Sequence, residues 1–176
     1  EAYGGLKFPD GLGVHPLKLA QGILRMARNA GASVYRSSPV VGWQADDDGI
    51  LVQTPGGRVR AKHVIIATNG YTGDVLHPSL KHRTLPVLSN IMVTRPMTPE
   101  EKNATNFIST VPVSDTRHLL FYYRRLPDDR LMIGGRGPID ERTADAPQWK
   151  EKLLNAVTKK FPALSSLSID YYWAGW

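Results

Sequence analysis

The sequence predicts a mixed fold in two parts, α/β in character at first and α+β afterwards. Three observations predict it. One amphipathic helical pattern precedes a series of short strands in the first third of the chain. The apolar run at residues 63–68 has no polar alternation, which is typical of a strand buried on both faces. The second half is dominated by strand pairs joined by turns with a helix beside them, which indicates an α+β arrangement.

The first elements are two short strands, expected at residues 4–8 and 12–14 around a Pro9-Asp10-Gly11 turn. A helix follows. Pro16 suits its first turn, where the missing N–H costs nothing, and Gly31 is expected to end it in the left-handed conformation. Its apolar residues recur at helical spacing: Leu17, Ala20, Ile23, Leu24 and Ala27.

From residue 32 the apolar period changes to two, which favours strands. The pattern predicts a strand at residues 33–35 and then a three-stranded antiparallel meander. Its strands are expected at residues 40–44, 50–54 and 58–61, with turns at Asp46-Asp47-Asp48-Gly49 and Pro55-Gly56-Gly57. The buried strand at residues 63–68 then runs into Asn69-Gly70.

The second half is predicted to form four strands, a short helical turn at residues 96–103, and a helix at residues 147–161. The strands are expected at residues 83–94 (which include Pro86), 118–124, 130–136 and 167–176. We place the domain boundary near residue 70. Residues 1–70 form the first domain, residues 71–166 the second, and residues 167–176 a strand that returns toward the first.

Composition excludes several classes of protein. Of 176 residues, 41% are hydrophobic and 22% charged, which is ordinary for a folded domain and not for a disordered tail. The absence of Cys excludes disulfides and thiolate sites, and the five His are scattered without ligand spacing, so we expect no metal site. No apolar run approaches the length of a membrane span, so the sequence predicts a soluble, cytoplasmic protein.

The chain is basic, with 22 Lys and Arg against 16 Asp and Glu, a net charge of +6. Nucleic-acid binding is not predicted, because these charges are spread thinly and do not gather on one element. Scattered basic residues more often keep a surface solvated, and an anionic small-molecule substrate or cofactor also fits them.

The two ends differ from ordinary termini. Residue 1 is Glu, and the last residues, Ile169 to Trp176, form an apolar and aromatic strand pattern where a polar tail is usual. We therefore expect the chain to be a piece of a longer protein, able to self-associate through exposed seams when isolated.

Several short motifs occur in a characteristic order. Those of the first part are Gly11-Leu12-Gly13-Val14-His15-Pro16, Ala30-Gly31-Ala32, Val40 and Ala67-Thr68-Asn69-Gly70. Those that follow are Asn69-Gly70-Tyr71, Phe121-Tyr122-Tyr123-Arg124, Leu131-Met132-Ile133-Gly134-Gly135, Phe161-Pro162 and Ile169-Asp170-Tyr171-Tyr172-Trp173-Ala174-Gly175. The chain resembles the FAD-dependent oxidoreductases of the D-amino-acid oxidase superfamily, and the later segments resemble its γ-glutamylputrescine oxidase branch.

The resemblance implies a fold and a chemistry. The helix, meander and buried strand would be part of an FAD-binding domain, and residues 71–166 an antiparallel-sheet substrate domain with a flanking helix. The implied cofactor is FAD, and the implied substrate is a small amine or amino acid. The chain departs from the family in lacking a G-x-G-x-x-G turn before a helix, since Gly134-Gly135-Arg136-Gly137 lies in a strand. We therefore expect FAD in the full-length parent enzyme and weak or no binding by this fragment alone.

The resemblance also implies roles for single residues, each with a structural alternative. Backbone groups near Ala67, Thr68, Asn69 and Gly70 would pass close to the FAD phosphates or ribose; the alternative is an ordinary strand end with a glycine turn. The backbone of Val40 would read the adenine edge; the alternative is a core valine.

On the substrate side, His15 would help shape the pocket, or would simply begin the helix. Tyr123 and Arg136 lie on the two arms of one predicted hairpin, where they can share a sheet face over the flavin and hold an amine or carboxylate. The alternative is that both are surface residues of a half-exposed sheet. Trp173 and Trp176 are expected in the core, as large apolar residues of a strand usually are; the alternative is that they are aromatic residues on the flavin side. No side chain is assigned as catalytic.

Two functions remain open from the sequence. The first is a fragment of an FAD-dependent oxidoreductase that oxidises the C–N bond of an amine or amino acid to an imine. The second is a freestanding α+β module that binds a ligand or protein through its basic surface.

Overall fold

The computed structural model describes residues 4–73, 76–85 and 87–176. The chain divides into two compact units, Glu1–Ala61 and Lys62–Trp176. Both contain antiparallel sheet and helix, so the mixed helix and strand composition expected from the sequence is confirmed. The division falls before residue 70, and the assignment of residues 62–70 to a cofactor-binding domain stays a prediction.

The first unit contains helix α1 (Pro16–Asn29), where the sequence predicts one. Pro16 occupies its first turn, and His15 caps it through its side chain. The helix ends in a Schellman motif: Gly31 has φ +91°, its N–H donates to the Arg28 carbonyl, and the next N–H donates to the Ala27 carbonyl. The expected left-handed glycine is thus confirmed.

The predicted meander is also present in the first unit. Strands β1 (Gly42–Asp46), β2 (Gly49–Thr54) and β3 (Gly57–Ala61) pair antiparallel in that order. The strands predicted at residues 4–8, 12–14 and 33–35 do not form. Short segments of this kind need a neighbouring strand to satisfy their backbone groups, and within the described residues none lies beside them.

The second unit is built on a five-stranded antiparallel sheet. Its strands are β4 (Ser89–Pro96), β5 (Val113–Ser114), β6 (Phe121–Arg125), β7 (Arg130–Arg136) and β8 (Ile169–Gly175). Their order across the sheet is β5-β6-β7-β4-β8. The strand predicted from residue 83 begins at Ser89, and Pro86, within its predicted span, lies outside the described residues.

Two helices accompany this sheet, α2 (Pro99–Thr105) and α3 (Pro147–Lys160). α3 packs on one face, which we call the covered face. There Leu153 and Val157 join the core with side chains from three strands and the segment after the helix: Met92, Phe121, Leu131, Ile133, Leu164 and Leu167. Side chains alternate along each strand, so the remaining residues lie on the opposite side, the open face.

The prediction of a buried strand at residues 63–68 is wrong. Residues 63–68 form no strand, and Ile65 is 89% exposed. A strand buried on both faces requires partners on its edges and layers above and below it. No strand of the described chain pairs with this segment, so its apolar side chains stay in contact with solvent.

Candidate functional site

The expected placement of Tyr123 and Arg136 on one sheet face is wrong. In the register of β6 and β7, Tyr123 lies opposite Ile133. Arg136 lies three residues beyond Ile133 on the same strand, and an odd separation reverses the face. Tyr123 therefore points to the covered face and Arg136 to the open face.

Tyr123 belongs to the packing beneath α3. Its ring centre lies 5.8 Å from that of Phe107 and 6.2 Å from that of Phe161. Its hydroxyl accepts a hydrogen bond from Lys160 Nζ at 2.9 Å. This geometry favours a structural role for Tyr123, and a role in substrate binding stays a prediction.

The neighbouring tyrosine occupies the open face. Tyr122 lies opposite Gly134, and its Oη is 2.7 Å from Ser89 Oγ on β4. The ring therefore crosses β7 to reach the next strand. Sequence alternation offers two phases at Tyr122-Tyr123, and the packing of Phe121 into the core selects the one that turns Tyr122 outward from α3.

Three polar residues lie at one end of the open face. Ser89 and Arg136 are directly opposite each other in the register of β4 and β7, and Tyr122 reaches Ser89 from β6. We call Tyr122, Ser89 and Arg136 the polar corner. The backbone of Arg136 is held by Lys152, whose Nζ donates to its carbonyl at 3.1 Å, while the arginine itself is exposed. A guanidinium beside two hydroxyls can bind a carboxylate through several donors.

The rest of the open face carries apolar and aromatic side chains together with two further arginines. Arg124 and Arg130 lie on it by alternation, and Arg130 Cζ is 5.5 Å from the ring centre of Tyr171. Ile91 lies opposite Trp173, and Val93 opposite Tyr171. Trp173 is 43% exposed, so it is not the core residue expected from the sequence. The open face thus combines a polar end with an exposed aromatic surface, a pattern suited to a ligand that has a charged group and a less polar remainder.

A buried polar cluster lies behind the polar corner. On the covered face, Asn90 and Tyr172 both donate to the Ala144 carbonyl, at 3.1 and 2.9 Å, and Asn90 Nδ2 also donates to the Tyr172 hydroxyl. Burial raises the pKa of Tyr172, so its hydroxyl stays protonated and keeps donating. The cluster ties β4 and β8 to the segment that follows Arg136.

His15 has a structural role at the start of α1. Its Nδ1 accepts the Lys18 backbone N–H at 3.4 Å, which satisfies one of the free donors at the helix start. The ring is exposed. This favours the structural alternative, and a contribution of His15 to a substrate pocket stays a prediction.

The surroundings of Val40 fit recognition of a ligand by the backbone. Val40 is 43% exposed, so it is not a core valine. The next residue, Val41, donates its N–H to the Gln53 carbonyl at 2.9 Å. Among the described residues, neither backbone group of Val40 hydrogen-bonds within the chain, so both are available to a base such as adenine.

The segment Ala67 to Gly70 divides into two parts. Ala67 and Thr68 are exposed and lie in irregular backbone, so the small side chains permit close approach of a cofactor. Asn69, with φ +50°, starts a 3₁₀ turn (Asn69–Tyr71), and Gly70 packs against Trp176. A Cβ on Gly70 would lie 2.7 Å from Trp176 Cβ, so this glycine is required by packing.

Other kinds of site find no support in the described part of the chain. No group of three or more His, Asp or Glu side chains there is arranged to hold a metal ion. No helix among residues 4–73, 76–85 and 87–176 is long and apolar enough to cross a membrane.

Comparison with known proteins identifies the family. The family model described as FAD dependent oxidoreductase (DAO) matches residues 1–176. The chain belongs to the FAD-dependent oxidoreductase family. Family membership favours the oxidoreductase over the freestanding binding module.

Similar proteins include oxidoreductases and oxidases of amines and amino acids. Gamma-glutamylputrescine oxidoreductase of Escherichia coli (strain K12) is 34% identical over 172 residues, which are 98% of this chain and 39% of that protein. Glycine oxidase of Bacillus subtilis (strain 168) is 23% identical over 99% of this chain and 45% of its own length. The crystal structure of glycine oxidase from Bacillus cereus ATCC 14579 superposes with a TM-score of 0.69 at 22% identity, over 89% of this chain and 42% of that one. The chain therefore spans about two-fifths of the length of the curated relatives it matches.

Proposed function

We propose that this chain is part of an FAD-dependent oxidoreductase that oxidises the C–N bond of an amine or amino acid to an imine. The match of the family model to residues 1–176 carries the proposal. The names of its relatives, which include a gamma-glutamylputrescine oxidoreductase and glycine oxidases, support the substrate class. FAD, when bound, supplies the two-electron acceptor for this oxidation.

Two segments of this chain fit the cofactor. The available backbone groups of Val40 suit the adenine edge, and the exposed small residues Ala67 and Thr68 suit approach to the phosphates or ribose. Gly70 packs on Trp176, and this contact helps to hold the segment from Ala67 to Gly70 in place. The 176 residues contain no G-x-G-x-x-G turn before a helix, so we expect polypeptide outside them to bind the pyrophosphate.

The open face is proposed to bind and orient the substrate. The Arg136 guanidinium would hold a carboxylate, and the hydroxyls of Ser89 and Tyr122 would hydrogen-bond its oxygens or an amine. Ile91 and Trp173 would contact the less polar part of the substrate and exclude water from it. No side chain here is needed as a strong base if the amine enters in its neutral form.

The test uses the full-length enzyme that contains this chain. Purified protein should be yellow, and anaerobic addition of an amine or amino acid from a small panel should bleach its flavin absorbance. The panel pairs each amine that bears a carboxylate with its analogue lacking that group. Colourless protein that refuses added FAD contradicts the proposal, as does flavin that no member of the panel reduces.

A further inference from the structure

Gly134 lies directly beneath the ring of Tyr122. The two residues are opposite each other in β6 and β7. A Cβ on Gly134 would fall well inside 3.0 Å of the Tyr122 atoms Cζ, Oη and Cε2, a separation that real Cβ atoms essentially never show. Only glycine at this position allows the phenol to lie against the sheet.

The hydrogen bond to Ser89 depends on this flat arrangement. The Tyr122 hydroxyl must pass over β7 to come within 2.7 Å of Ser89 Oγ on β4. Ser89 is in turn the cross-strand neighbour of Arg136. A side chain at position 134 would lift the ring off β7 and move its hydroxyl away from the polar corner.

We propose that Gly134 is a positioning residue for substrate binding: it allows the Tyr122 hydroxyl to reach Ser89 beside Arg136. The inference rests on the proposed function, because it takes the open face as the substrate side. Gly134 acts on how tightly substrate is held, and so on KM more than on kcat.

The next residue supplies a matched control. Gly135 points to the covered face, where an added Cβ would lie 2.8 Å from Phe121 Cδ1 and 3.5 Å from Leu153 Cδ2. Gly135→Ala introduces the same methyl group beside another aromatic ring, one that belongs to the core. It tests the general effect of crowding a glycine in this strand without touching Tyr122.

The kinetic experiment uses the FAD-bound full-length enzyme and the best carboxylate-bearing amine of the panel. Gly134→Ala should raise KM about fivefold, as much as Tyr122→Phe, with kcat within twofold of the parent. Gly135→Ala should lower the thermal unfolding temperature and leave KM within twofold. When Tyr122→Leu has already removed the phenol, adding Gly134→Ala should change KM by less than twofold. If Gly134→Ala raises KM by the same factor in the parent enzyme and in Tyr122→Leu, the proposal is overturned.

A spectroscopic readout separates this inference from the proposed function. With 3-fluorotyrosine incorporated, the ¹⁹F resonance that Tyr122→Phe removes belongs to position 122. That resonance should shift in Gly134→Ala and in Ser89→Ala and stay in place in Gly135→Ala, whether or not any amine reduces the flavin. An unmoved resonance in Gly134→Ala overturns the inference even for an active enzyme. If Gly134→Ala does not fold, Ser89→Ala, Tyr122→Phe and their double variant decide. Equal increases in KM for the two single variants, with no further increase in the double variant, support the positioning. An unchanged KM in the single variants overturns it.

Discussion

Ser89 and Arg136 are direct cross-strand neighbours on the open face of the second sheet. Directly opposed residues of antiparallel strands have Cβ atoms about 5 Å apart, close enough for their side chains to bind one ligand group together. The Tyr122 hydroxyl adds a third polar group at Ser89. The polar corner therefore draws on three strands of one sheet, which is a more rigid support than a loop.

Arg136→Ala should raise KM for a carboxylate-bearing substrate by about 10- to 150-fold, since a hydrogen bond to a charged group contributes about 1.5–3 kcal/mol. The effect on kcat should be small. Steady-state kinetics of the full-length enzyme measure both constants. Arg136→Lys serves as the control, because it keeps the charge and loses the planar guanidinium. Its KM should therefore lie between those of the parent and of Arg136→Ala. A KM for Arg136→Ala within twofold of the parent would show that the arginine is only a surface residue.

Tyr122→Phe and Tyr123→Phe should have different consequences, although the two residues are adjacent. Tyr122→Phe removes the hydroxyl bonded to Ser89 and should raise KM about fivefold, the equivalent of ~1 kcal/mol. Tyr123→Phe removes only the bond from Lys160 and should cost about 0.5–1 kcal/mol of stability with KM unchanged. Kinetics and thermal unfolding of both variants test the assignment of faces. If Tyr123→Phe raised KM and Tyr122→Phe lowered only stability, Tyr123 would be the residue on the substrate side.

Elements specified by local pattern are predicted well from the sequence. The helix expected at residues 147–161 forms as Pro147–Lys160, and the strand expected at 130–136 forms as Arg130–Arg136. Helical periodicity and a short hairpin are encoded within a few residues. The run at residues 63–68 is different, because an apolar segment becomes a buried strand only if distant strands pair with it.

The candidate site is harder to predict for a related reason. Arg136 is predicted as a substrate residue from its chemistry, and the register of β7 gives its face. Ser89 carries no signal of its own, since its place beside Arg136 comes from the pairing of β4 with β7, which are far apart in the chain. The choice between Tyr122 and Tyr123 depends on which aromatic ring packs under α3, and alternation alone leaves both phases open.

Gly70→Ala should destabilise the protein by about 1–3 kcal/mol, the usual cost of forcing an extra methyl group into a packed contact. The new Cβ would lie 2.7 Å from Trp176 Cβ and 2.9 Å from the Trp176 carbonyl carbon. Gly73→Ala is the matched control, because a Cβ there has no atom within 4 Å. Thermal unfolding of the two variants should separate them clearly. Equal unfolding temperatures would mean that the contact between Gly70 and Trp176 is absent in solution.

Acid should weaken the second unit through Glu101 at the start of α2. Two hydrogen bonds from Arg95, at 2.7 and 2.8 Å, lower the pKa of Glu101 to about 2 from its ordinary value of 4.5. Its side chain is 11% exposed. A carboxylate with a lowered pKa in the folded state stabilises the fold above the unfolded pKa, and this contribution disappears as the pH falls from about 4.5 toward 2.

Glu101→Gln isolates that charge effect, because glutamine can still accept the Thr98 backbone N–H in the capping box. At pH 7 the variant should be less stable by about 1 kcal/mol. The Glu101 carboxylate is largely buried, but the Arg95 side chain is partly exposed to water, which weakens the ion pair. The gap in unfolding temperature between parent and variant should narrow as the pH falls from 5.5 to 3, because the unfolded parent binds a proton below about pH 4.5 whereas the folded parent binds it only near pH 2. Glu151→Gln, at an exposed position of α3, should show no such convergence. A gap for Glu101→Gln that stays constant across this range would show that Arg95 does not hold the carboxylate ionised.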